Sequence, residues 1–115
     1  MTVALMDERA RCLRVEYADV ARFLTMYWPT DATDDATALH AILCTARVAD
    51  VSWWRRQLLV FLLSSTDDAD KAAFVRMSAR RRFQTERVQD ALTWLGSMAL
   101  ALLDIEDYLA QQPPL

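Results

Sequence analysis

The chain has 115 residues, 54% of them hydrophobic and 25% charged, with a net charge of −3. That length suits one domain with its own core, able to fold without metal or disulfide. The small negative charge argues against broad electrostatic capture of nucleic acid, and a single glycine, Gly96, excludes the glycine-containing turns of a β-rich fold. Residues 1–115 therefore read as a single all-α domain, a bundle of about five helices with mostly antiparallel neighbours, the first few residues and 111–115 forming frayed ends.

In chain order, Met6, Ala10, Leu13, Tyr17, Val20, Leu24 and Tyr27 recur at steps of three and four and predict a first helix over about 4–27, continuous or broken near Leu13 to Glu16. Pro29 stops it, because a residue before proline is biased away from the α region. The polar stretch Thr30 to Asp35 then starts a second helix, with Thr33 or Asp34 as cap and Leu39, Ile42, Leu43 and Ala46 inward to about Ala49. Asp50 or Ser52 caps a third, Trp53 to Leu63, which is apolar almost all round and so reads as central. Its longest apolar run, Leu58 to Leu63, is too short to span a bilayer. A fourth helix follows Asp67 and Asp68 to about Arg80, burying Ala69, Ala73, Phe74 and Met77. Arg80, Arg81 and Arg82 break the pattern. The last helix starts near Thr85, with Val88, Leu92, Leu95, Met98 or Ala99, Leu102 and Leu109 in register, before Pro113 and Pro114. Gly96 inside it implies a close helix–helix approach.

No catalytic constellation is visible: there is no phosphate loop, no metal-binding Glu-x-x-His pair and no nucleophile elbow. His40 is the only histidine and reads as structural or surface. Cys12 and Cys44 lack metal-ligand spacing and read as reduced thiols packed in the core. No cofactor, metal or enzymatic activity is expected.

Charge is more informative. Asp31, Asp34 and Asp35, then Asp67, Asp68 and Asp70, crowd two helix starts, where one acid each suffices for capping. Asp104, Glu106 and Asp107 sit near a helix C-terminus, where negative charge is unfavourable, and no basic residue follows Arg87. These nine acids are the candidate contact residues for a basic partner. Trp53 and Trp54 are adjacent and cannot both face inward. Trp28, Trp53 and Tyr108 are candidate aromatic anchors for that partner. The segment Arg76 to Arg87 supports an alternative, a small helical nucleic-acid-binding regulator.

The stretch from Tyr17 through Phe23, Leu24, Tyr27 and Trp28 to Asp31 and Asp35 resembles the opening of one group of bacterial contact-dependent growth inhibition immunity proteins. Arg56-Gln57-Leu58-Leu59, the start at Thr66-Asp67-Asp68, and Trp94-Leu95 before Leu102-Leu103 follow in the same order, so the resemblance covers roughly residues 15–103. Trp28-Pro29-Thr30 and the arginine run 80–82 depart from the family pattern. The resemblance implies a cytoplasmic immunity protein that binds and neutralises a cognate toxin domain, a basic-cleft nuclease, with the acids taking the place of phosphate. It implies no direct nucleic-acid or membrane partner. Such a pair needs about 1,600 Å² of buried surface and complementary charge.

Overall fold

Where each helix starts and stops follows from how the backbone groups at its ends are satisfied. The computed structural model describes residues 3–83 and 87–112, with side chains from Glu8 onward. The described residues form six helices and no strand: α1 (Val3–Glu16), α2 (Ala18–Tyr27), α3 (Asp35–Thr45), α4 (Val48–Leu62), α5 (Asp68–Ser78) and α6 (Val88–Ala110). The sixth helix arises because the expected N-terminal helix is broken at Tyr17, whose φ of −112° and ψ of 51° are non-helical. The break is small. Tyr17 N–H still donates to Leu13 O at 2.7 Å, and Tyr17 O accepts from Ala21 at 3.0 Å. The turned Tyr17 ring meets Phe61 edge-on at 5.0 Å, a packing gain of about 1 kcal/mol beyond burial.

Asp34 caps α3 by accepting from Thr37 N–H at 2.7 Å, and Asp67 caps α5 through Ala69 N–H at 3.2 Å. Between them the expected boundaries shift. Helix α3 ends at Thr45 rather than near Ala49, since Ala46 and Arg47 are both extended. Helix α4 begins at Val48 without a side-chain cap, so Asp50 lies inside its first turn and Ser52 within the helix. The expected helix start at Thr85 lies outside the described residues, as do the side chain of Met6 and the prolines at 113 and 114.

The largest fully buried side chains are Trp28, Phe23, Phe61, Phe74, Leu24, Ile42, Leu58, Leu95 and Leu102, drawn from five helices and the end of α2. Each contributes about 1.5–3 kcal/mol of transfer free energy. Helices α4 and α6 form the most extensive pair. Arg55, at the midpoint of α4, holds Glu106, late in α6, at 2.6 Å. The C-terminal end of α4 meets α5, through Phe61 on Phe74 and Leu62 O on Lys71, and α5 packs on α6 just ahead of it in the chain, so α4 runs from Glu106 back along α6 and the pair is antiparallel.

Four expectations about the core need correction. Helix α4 is not central: Trp53, Leu59, Val60 and Leu63 are exposed, and α6 takes the middle place against α3, α4 and α5. On α5 the buried face is rotated toward Lys71, Ala72, Phe74, Val75 and Ser78, leaving Ala69, Ala73 and Met77 half-buried. Cys12 and Cys44 are both exposed. Gly96 has no neighbour: an added Cβ would meet nothing within 4 Å, so the roughly 1 kcal/mol cost of a mid-helix glycine has no return within the chain. By length and composition alone α6 could cross a membrane, yet its Ala91, Trp94, Leu95, Met98, Ala99 and Leu102 are built into the core.

The α5 rotation has a clear cause. Lys71 is 4% exposed, and its Nζ donates to Leu62 O and Ser64 O, both at 2.8 Å, with Asp68 at 3.9 Å. The ammonium therefore closes the C-terminal end of α4, where a cation also meets the negative end of the helix dipole. Replacing Lys71 with Met keeps the apolar stem but leaves two carbonyls short of a donor. Lys71→Met is expected to lower unfolding stability by about 2 kcal/mol, measured by urea denaturation.

Candidate partner-binding surface

The first acidic cluster lies where α2 ends and α3 begins. Trp28 ends α2 ahead of Pro29, and its carbonyl accepts from Arg80 N–H at 2.9 Å, tying this corner to the segment after α5. The Trp28 indole N–H donates to Asp35 Oδ1 at 2.9 Å, and the Trp94 indole N–H donates to Oδ2 at 3.1 Å. The two indoles meet edge to face at 5.1 Å. Arg81 completes the group. Its Nε lies 3.0 Å from Asp35 Oδ1, in a direction that makes the contact coulombic rather than a hydrogen bond. The guanidinium stacks over Phe83 at 4.7 Å and over Trp94 at 5.1 Å. One carboxylate thus joins α2, α3, α6 and the arginine segment.

This arrangement divides the cluster. Asp35 is occupied by its internal partners. Asp34 caps α3 yet stays exposed, and its pKa is lowered chiefly by the Thr37 backbone N–H, so it carries its charge at neutral pH. Asp31 is exposed. The turn that carries it is closed by Thr33 N–H to Thr30 O at 3.2 Å and by the Thr30 and Thr33 hydroxyls at 3.1 Å. Asp31 and Asp34 are therefore two carboxylates on a hydrogen-bonded turn rooted in the core by Asp35.

The other clusters are also partly used internally. Asp67 is a cap, Asp68 stays exposed, and Asp70 is buried beside Arg9 at 3.1 Å. In the third cluster Glu106 is held by Arg55, whereas Asp104 and Asp107 are exposed. Asp35 binds Trp94 in one half of α6 and Glu106 lies in the other, about 18 Å apart along the helix axis. The clusters do not merge into one acidic face. Among the anchors, Trp53 and Tyr108 are exposed by 49% and 53%, but Trp28 is 0% exposed and cannot serve as one. Trp54 turns inward against Phe23 and Tyr27.

The basic segment is drawn inward as well. Arg81 faces Asp35, and Arg76 donates to Arg87 O at 2.6 Å while lying over Phe83 at 5.6 Å. Arg80, Arg82 and Arg87 remain exposed, which is no continuous phosphate-gripping ridge. A positive feature lies elsewhere: a shallow concavity of about 570 Å³ along α1 and α2, lined by Arg11, Arg14 and Arg22 with Val15 and Met26. Its arginines follow helical spacing across Tyr17, a signal open to sequence reading. His40 and Cys44 are one turn apart on α3, with Sγ 3.4 Å from Nε2, both exposed. No group of three His, Cys, Asp or Glu able to hold a metal occurs among the described residues. Comparison with protein-family models, with curated proteins and with solved structures finds no match.

Two outcomes follow. Asp35→Asn turns one acceptor into an N–H₂ group facing an indole donor, and is expected to cost about 2 kcal/mol by thermal unfolding, with altered near-ultraviolet tryptophan signal. The Glu106 pKa is lowered mainly by its hydrogen bond from Arg55. Because the folded value is the lower one, the stability it adds is full above the ordinary glutamate value of about 4.3 and is lost as pH falls through the folded value. Glu106→Gln should therefore be less stable than the parent at neutral pH, with the gap closing in acid, as read from denaturant midpoints across that range.

Proposed function

We propose that this chain is an immunity protein of the contact-dependent growth inhibition type, which binds a toxin domain and blocks its basic active cleft. The observation that carries the reading is the anionic turn 30–34. Asp31 and Asp34 project from it, and its root is fixed by Trp28, Trp94 and Arg81 on Asp35. A cleft that binds nucleic acid must attract phosphate. Two carboxylates on a turn already held in the free protein suit such a cleft, because little loop entropy is lost on docking. Exposed charge also steers approach, which matters when one free toxin molecule is harmful. Nuclease inhibition needs no reactive group of its own: occupation of the cleft suffices. The resemblance over residues 15–103 points the same way. The nucleic-acid-binding alternative loses two of its arginines, Arg76 and Arg81, to internal contacts.

The test is binding and protection against the toxin domain encoded beside this chain. Asp31→Asn combined with Asp34→Asn removes both charges while Asn preserves the α3 cap. The double variant should fold normally by circular dichroism, bind at least about tenfold more weakly, and lose most of that in association rate. Undiminished protection by the double variant, or tight salt-sensitive binding of short DNA or RNA by the chain alone, would overturn the reading.

A further inference from the structure

We propose that the outer face of the α4–α6 pair is a self-association surface, where two copies of this chain meet about a two-fold axis running along the groove between these helices. Three observations carry it, none of which depends on the toxin reading. The first is apolar exposure concentrated on one pair of helices. Leu63 is 84% exposed, Leu100 67% and Val60 56%, with Leu59 and Leu103 at 39% each. At about 100° per residue, Arg56, Leu59, Val60 and Leu63 fall on one flank of α4, and Gly96, Leu100, Leu103 and Asp107 fall on one flank of α6. Ser52 and Arg55 both reach Glu106, which sets the two flanks side by side as one surface.

The second observation is charge. Arg56 is exposed at one end of the α4 flank, and Asp107, with Asp104 beyond it, is exposed on α6 at the same end. Arg55 is level with Glu106, so in this antiparallel pair Arg56 is level with the 104–107 stretch, Val60 roughly with Ala101 and Leu63 roughly with Met98. A two-fold axis along the groove exchanges the helices and keeps the height. It lays α4 of one copy antiparallel on α6 of the other. Arg56 then faces the second copy's Asp107, and by symmetry the pairing occurs twice. Leu59 and Val60 face Leu103 and Leu100, giving an apolar centre with a charged rim. An unrelated partner would have to supply the same complement by accident; a second copy supplies it by symmetry.

The third observation is Gly96, the one glycine of the chain. It lies on this flank in mid-helix, and a Cβ there would meet nothing within 4 Å. It leaves a notch about 3 Å along the helix from the level of Met98, beside the place where Leu63 of the second copy arrives, so the close approach that a helical glycine permits is made between chains rather than within one. The product is a four-helix layer built from two α4–α6 pairs.

Sedimentation of the full chain over a range of micromolar concentrations tests this. The expected result is a reversible dimer. Leu100→Glu should abolish it, and Gly96→Gln, a better helix former that fills the notch, should abolish it with helicity intact. Arg56→Asp should weaken it about tenfold across the two symmetric pairs, and adding Asp107→Arg in the same chain should restore it. A single-chain mass at every concentration overturns the proposal. So does a dimer indifferent to Arg56→Asp, or a monomer that co-sediments with phosphatidylglycerol–phosphatidylcholine vesicles.

Discussion

Everything around the α2–α3 corner depends on where the charge of Asp35 goes. A carboxylate set between Trp28 and Trp94 would be costly without partners, and the fold provides two indole N–H donors and the charge of a guanidinium. Each partner comes from a different part of the chain: the end of α2, the α5–α6 connection and α6. Segments distant in sequence are thus registered on one side chain. The same contacts explain why Trp28 is wholly buried beside an otherwise solvent-facing turn. Apolar burial could bring these elements together in several ways, whereas two directed N–H bonds to opposite oxygens admit few.

The helices themselves could be read from the sequence because their signals are local. Pro29 and the aspartates at 34 and 67 stop and start helices by short-range chemistry, and the break at Tyr17 falls beside the interruption that the sequence admits near Leu13 to Glu16. What sequence periodicity does not convey is which apolar residues a tertiary neighbour covers. The run Leu58 to Leu63 looks like a central helix by composition, yet only Leu58 and Phe61 in it are fully buried. Lys71 shows the reverse. A charged residue reads as solvated until the open end of α4 is seen to arrive beside it.

The acidic residues were identifiable as clusters, but not their separate roles. Asp31, Asp34 and Asp35 lie within five residues yet have different tasks: one exposed, one capping, one half-buried between two indoles. That division depends on Trp94, nearly sixty residues away, and so lies beyond any local pattern. The arginines escape a local reading for the same reason: flat guanidinium groups stack on aromatic faces, and Phe83 and Trp94 draw Arg81 inward. The arginine-lined concavity along α1 and α2 follows plain helical spacing and so is legible in the sequence.

The burial of Lys71 reaches beyond its role at the end of α4, because it is the chain's sole lysine. Reagents that acylate primary amines meet no accessible ε-amino group on the folded surface, since the remaining side-chain cations are guanidinium groups that such reagents leave alone. Labelling of Lys71 by an activated ester therefore waits for the α4–α5 corner to open, and its rate becomes a one-site clock for that opening.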